Sequence, residues 1–184
     1  MIRNVLIVDN CRSTLELLQD HIMSMFPHVN VDLIKSGEDA LARMKVDSSG
    51  EIVSHSYDVI IVDENLNSFL EKSEHKEDDS EHEQSVMTGS EFLNRINQCE
   101  STNDSKSTNN SKDETPSNKS GTKTRRSLMI GISADLGEDC TSLQKGGADL
   151  LWSKPPPKPS NCLRNQLLNT LLSKRGKSVF ICGC

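Results

Sequence analysis

Val59-Ile60-Ile61-Val62-Asp63 is a run of four aliphatic, β-branched residues that stops on an acid. A short apolar run bounded by polar residues reads as a strand buried on both faces, the habit of parallel sheets. Three further stretches share the pattern. Val5-Leu6-Ile7-Val8 ends on Asp9-Asn10, Leu128-Met129-Ile130-Gly131-Ile132 on Ser133-Ala134, and Asp149-Leu150-Leu151-Trp152-Ser153 on Lys154-Pro155. Open parallel sheets bind ligands outside the carboxyl ends of their strands. Parallel alignment of the four runs therefore gathers two carboxylates, a hydroxyl and an ammonium at one sheet edge.

Between these runs the periodicity changes from strand to helix. Leu15, Leu18, Ile22 and Met25 recur at helical spacing and predict a helix over 12–25. Residues 29–34 alternate apolar and polar, which suits an edge strand. Gly37 introduces a helix with Ala40, Leu41 and Met44 on one face; Phe92, Leu93 and Ile96 mark a helix over about 90–97. Leu163, Leu167, Leu168, Leu171 and Leu172 mark a last one over about 161–172. A helix over 138–145 is weakly apolar, which predicts loose packing, and Gly146-Gly147 supplies its C-cap. Strand and helix thus alternate along the chain, as in a doubly wound α/β fold.

Of the 184 residues, two stretches are read as loops rather than core. Residues 67–84 carry seven acids against two lysines, and 101–126 contain no aliphatic, aromatic or cysteine residue. Neither buries enough apolar surface to offset the entropy of ordering it, so disordered insertions are expected at about 67–86 and 100–127. What remains is one domain of ordinary size.

A formal net charge of −6 argues against a nucleic-acid surface, which needs a basic face. The basic clusters at Lys123, Arg125, Arg126 and at Lys174, Arg175, Lys177 read as solubilising. No apolar run approaches the ~20 residues of a membrane span, and no signal peptide precedes the first strand. A cytosolic or nuclear chain follows, in which Cys11, Cys99, Cys140, Cys162, Cys182 and Cys184, without C-x-x-C spacing, are reduced thiols. The terminal Cys182-Gly183-Cys184 resembles a double-prenylation signal, but Cys-a-a-X spacing is absent and membrane attachment is not expected.

In order and in strand context these residues resemble the receiver domain of two-component response regulators, over residues 2 to about 172. The resemblance implies a flavodoxin-like, doubly wound five-stranded parallel sheet of order 2-1-3-4-5 in three α/β/α layers. It implies a receiver domain over 1–172 and a tail over 173–184. By position Asp63 resembles the phosphoacceptor, Lys154 the site lysine and Ser133 the hydroxyl that follows the phosphoryl group. Asp9, Asn10, Asp63 and the backbone carbonyl of Asn65 correspond to the ligands of Mg²⁺, a hard cation that keeps a few oxygen ligands and several waters. The Lys154-Pro155 peptide is expected to be cis. The implied donor is a histidine kinase or a histidine phosphotransfer protein, and the implied output is contact with another protein, since no DNA-binding or catalytic output module is expected after Lys154.

Three positions depart from that pattern. Asn10 stands where a second acid is usual, which removes one negative charge from the metal site. An acidic insertion follows Leu66 before Val86-Met87-Thr88-Gly89 resumes the pattern. Leu151 occupies the position usually held by Tyr or Phe, and alternation places Trp152 on the opposite face. A pseudo-receiver that binds partners without accepting phosphate is the alternative. A haloacid-type phosphatase is disfavoured, because its second acid would fall at Asn65.

Overall fold

The computed structural model describes residues 1–46, 52–53, 57–66, 86–105, 126–135 and 137–176; for 45–46, 52–53 and 100–105 it describes the backbone alone. The bulk of both insertions and the terminal cysteine pair, with the expectations placed on them, lie outside these residues. The elements in chain order are β1 (Asn4–Val8), α1 (Arg12–Met25), β2 (Asn30–Ile34), α2 (Gly37–Arg43), β3 (Lys45–Val46), β4 (Ile52–Val53), β5 (Val59–Asp63), α3 (Gly89–Ser105), β6 (Leu128–Ser133), α4 (Glu138–Gly146), β7 (Leu150–Ser153) and α5 (Asn161–Lys174).

The main sheet has the order β2-β1-β5-β6-β7, and every pairing in it is parallel. Counting its own strands alone, this is 2-1-3-4-5, the order expected. β3 and β4 form a separate antiparallel pair after α2, which the alternation of the sequence did not announce. The three central strands bury both faces: every residue of β5 and β6 is buried, as are Val5 to Val8 of β1. β2 at the edge is half-buried instead.

Two apolar layers sandwich the sheet. Ile7, Ile61, Ile130 and Trp152 pack with Leu18 and Ile22 of α1 and Leu167 and Leu171 of α5 on one side. Leu6, Ile60, Val62 and Met129 pack with Ala40, Phe92, Leu93, Ile96 and Leu143 on the other. Leu151 packs on this second side, so Trp152 and Leu151 point to opposite faces, as alternation requires.

Local chemistry starts the helices where the sheet needs them. The Ser36 hydroxyl accepts from Asp39 N–H and the Ser160 hydroxyl from Leu163 N–H, each at 3.1 Å, so both serines are N-caps. Thr88 and Glu91 form a reciprocal capping box at α3, with Glu91 N–H to Thr88 Oγ1 at 3.2 Å and Thr88 N–H to Glu91 Oε2 at 2.9 Å. α3 runs to Ser105, so the first residues of the stretch expected to be loop are helical. A packed and capped helix adds each further residue at little cost, because nucleation is already complete.

Two more expectations need correction. α4 is not loosely set: Leu143 lies so close over Gly131 that a Cβ there would fall 2.8 Å from Leu143 Cδ1, and a Cβ on Gly146 would fall 2.6 Å from the Ser90 carbonyl oxygen. Few apolar residues suffice because glycine lets the backbones approach. Lys174 and Arg175 are not merely solubilising. Lys174 Nζ pairs with Asp149 at 2.7 Å, and Arg175 Nη2 with the buried Asp58 at 2.8 Å, while Asp58 also accepts from Arg3 N–H and Asn4 N–H. These pairs tie residues 174 and 175, beyond the expected helix end at 172, to the packed sheet.

Candidate functional site

Parallel register brings the strand ends to one edge. Val8 pairs with Val62, Asp63 with Ile132, and Ser133 with Ser153, so Asp9, Asp63, Ser133 and Lys154 emerge side by side. Lys154 Nζ lies 2.8 Å from Asp63 Oδ2 and 3.0 Å from Asp9 Oδ2. Its backbone is tied to the neighbouring strand by Lys154 N–H to the Ser133 carbonyl at 2.9 Å, and the Lys154-Pro155 peptide is cis.

The electrostatics follow from burial. Asp9 is 1% and Asp63 3% exposed, so two carboxylates share one ammonium in a nearly dry pocket. Burial holds the Asp63 carboxyl above the usual range; the hydrogen bond from Lys154 opposes this, and the Asp9 charge adds to it. Burial disfavours the Lys154 ammonium, yet its hydrogen bonds to Asp63 and Asp9 prevail and raise its affinity for the proton. Asp9 Oδ1 accepts from Cys11 N–H at 2.7 Å, which turns the chain into α1. Asp9 Oδ2 is buried and faces Lys154 Nζ as its ion-pair partner. Beside the site, the exposed Cys11 thiol is lowered to about 7 by hydrogen bonds from Ser13 and Thr14.

Two acids join the site that nothing in the strand pattern singled out. Glu64 is 7% exposed and binds the start of α3: Oε2 accepts from Ser90 N–H at 2.8 Å and Oε1 from Ser90 Oγ at 2.7 Å. Burial pushes its carboxyl up, against those two bonds. Gly89 N–H donates to the Glu64 carbonyl at 3.0 Å, and a Cβ on Gly89 would collide with the Asp63 carbonyl, so glycine alone fits there. The acidic insertion thus leaves from Leu66 and returns to a helix start still locked against Asp63. Asp139, in the first turn of α4, accepts from Ser133 Oγ at 2.7 Å and from Asn65 Nδ2 at 3.1 Å through one oxygen, Oδ2. Ser133 Oγ also accepts from Asp135 N–H at 2.9 Å. The Ser133 hydroxyl is therefore committed to α4. The only sequence signal for Glu64 was an acid directly after Asp63, and for Asp139 an acid one turn into a helix, which is ordinarily a dipole effect.

Among the described residues no group of three or more His, Cys, Asp or Glu is placed to hold a metal. With Asn10 in place of an acid, the oxygen donors at the strand ends are the Asp9 and Asp63 carboxylates plus amide and backbone oxygens. An all-oxygen set with two buried carboxylates still suits Mg²⁺, which takes one or two carboxylates and fills its shell with water and phosphate.

Strand order and the position of these residues define the fold of response regulator receiver domains. Solved structures agree. The BeF3-activated DrrB receiver domain aligns with a TM-score of 0.55 at 14% identity, covering 93% of this chain and 98% of its own. A CheY-like receiver domain protein from Methanospirillum hungatei aligns with a TM-score of 0.52 at 14% identity, covering 96% and 95%. The signal receiver domain of a DNA binding response regulator from Colwellia psychrerythraea aligns with a TM-score of 0.52 at 15% identity, covering 90% and 95%. No protein-family model and no curated protein matches the chain in sequence. Among the described residues no helix is long and apolar enough to cross a membrane.

Proposed function

We propose that the chain is a receiver that accepts a phosphoryl group on Asp63 from a phosphohistidine donor, a histidine kinase or histidine phosphotransfer protein, and signals through protein contacts in the cytosol. The observation that carries this reading is Lys154 Nζ held between Asp9 Oδ2 and Asp63 Oδ2 at the carboxyl edge of the sheet. In the transfer, an Asp63 oxygen forms the new bond to phosphorus while the bond from phosphorus to the donor imidazole breaks and its electron pair stays on nitrogen. Lys154 favours the ionised form of Asp63 that this attack uses, against the burial that disfavours it. Lys154 pairs with Asp63, and once Asp63 carries a phosphoryl group it would pair with one of that group's oxygens. Asp9, Asp63, Asn10 and the Asn65 carbonyl are the residues that would hold Mg²⁺, which supplies positive charge against the phosphoryl oxygens.

Asn10 in place of an acid favours a second reading, an interaction module of the same fold that takes no phosphate. One measurement separates the two. Incubation with acetyl phosphate and Mg²⁺ should add a single phosphoryl mass to the intact protein, and Asp63→Asn should abolish it. Labelling that persists in the variant, or none in the wild type, overturns the receiver reading.

A further inference from the structure

The acidic insertion interrupts the connection from β5 to α3, yet the chain is fixed on both sides of it. Leu66, just before the insertion, is 1% exposed, and Met87, just after it, is 5% exposed; both pack in the layer that holds α2 and α3. A long connection does not fix the separation of its own ends, so their placement rests on contacts across the gap. Glu64 supplies those on one side. Its N–H donates to the Ile132 carbonyl at 3.1 Å and its carbonyl accepts from Gly89 N–H at 3.0 Å, while its carboxylate oxygens accept from Ser90 N–H at 2.8 Å and Ser90 Oγ at 2.7 Å. Ser90 Oγ also lies 3.1 Å from Thr88 Oγ1, so these bonds run on into the capping box of α3. Glu38, in the first turn of α2, supplies those on the other side. Its Oε1 accepts from Met87 N–H at 2.8 Å, and Met87 packs so closely on α2 that a Cβ on Gly37 would fall 3.0 Å from Met87 Sδ.

We propose that Glu64 is a positioning residue for Asp63: it clamps the end of β5 to the first turn of α3 and so stands in for the short turn that the insertion interrupts. This rests on Asp63 being the phosphoacceptor. An aliphatic side chain at this buried position would cost less than a carboxylate. The carboxylate is directional, however. Each of its oxygens has a donor on Ser90, and it faces the positive end of α3. The clamp follows Asp63 by one residue and precedes Asn65, whose carbonyl belongs to the proposed Mg²⁺ set. Glu64 acts through this turn. Releasing its side chain lets the turn and the start of α3 drift apart, and the Asp63 oxygen and the Asn65 carbonyl then lose the alignment on which attack at phosphorus depends.

Amide hydrogen exchange at Gly89, together with the rate of labelling by acetyl phosphate and Mg²⁺ followed by intact mass, tests the clamp. Glu64→Leu fills the space without the bonds. Its Gly89 amide, whose partner is the backbone carbonyl that the variant keeps, should exchange about tenfold faster, the equilibrium weight of one charge-assisted hydrogen bond. Labelling should slow by about tenfold, inside the range expected for a misplaced reacting group, while unchanged exchange over α1 reports that the fold holds. Glu64→Gln keeps an oxygen for Ser90 N–H and offers its amide to Ser90 Oγ, so both rates should stay near the wild type. A chain lacking 67–84 joins Leu66 to Ser85, and so short a connection fixes its ends by itself. There Glu64→Leu should slow labelling by about twofold at most, measured in high salt to screen the insertion's charge. Wild-type protection of Gly89 in Glu64→Leu overturns the proposal, as does Glu64→Gln behaving like Glu64→Leu. So does Glu64→Leu labelling at the wild-type rate, or slowed equally with and without 67–84; these results leave the receiver reading standing. A wild type that gains no mass on Asp63 overturns both.

Discussion

Asp63 carries a cost of burial. An ionised carboxylate buried beside a second one is unfavourable, and a single shared lysine offsets only part of that. Because its affinity for the proton is raised in the folded protein, the cost is fully present above the folded value and vanishes below the unfolded carboxylate range near ~4. Asp63→Asn should therefore be more stable than the wild type at pH 7, because Lys154 keeps Asp9 as its partner while one buried charge is removed. The difference should shrink as the pH falls toward ~4. Chemical denaturation of both proteins across that range checks it; a variant less stable at neutral pH would show that the Lys154 pairing outweighs burial. Glu64 and Asn65 show how much one turn does. Consecutive residues after Asp63 tie it to α3 through Ser90 and to α4 through Asp139.

At the scale of elements, α4 is the part whose packing is least apparent from composition. Its buried residues are Cys140, Leu143 and Gly146, and it sits close to the sheet because Gly131 leaves room beneath Leu143. Gly131→Ala should push Leu143 outward and cost about 1–3 kcal/mol, the range of overpacked cores. That cost should fall when Leu143→Ala is combined with it, since the two side chains then no longer compete for one space. A purely additive double variant, read by urea denaturation, would mean that β6 bends rather than α4 moving. The C-cap at Gly147, with φ 102°, ends the helix where Gly146-Gly147 indicated.

For the whole molecule, the two ends of the sheet do different work. The carboxyl edge holds the charged site. The opposite edge is closed by Arg175 on the buried Asp58 and Lys174 on Asp149, which bind the end of α5 to the starts of the strands. The acidic insertion belongs to this scale as well, since it departs beside the site with seven carboxylates against two lysines. Deleting 67–84 should leave the domain folded and speed labelling by acetyl phosphate at low ionic strength, with the advantage fading as salt screens the charges. Unfolding of the deletion variant would show that the segment contributes to the core. An unchanged rate at every salt concentration would show that its charge is idle.

The burial of the central strands, the end of α4 at Gly146-Gly147, and the meeting of Asp9, Asp63 and Lys154 at one edge were all legible in the amino-acid sequence. Each depends on a local pattern: an apolar run, a capping residue, or a polar residue just past a strand. Tertiary structure alone decided that Ser133 binds Asp139, that Glu64 fastens α3, that Arg175 pairs with Asp58, and that glycines draw α4 onto the sheet. These contacts join residues whose spacing carries no periodicity, and whether two such side chains meet is settled by how far each helix is shifted on the sheet and which rotamer it leaves open.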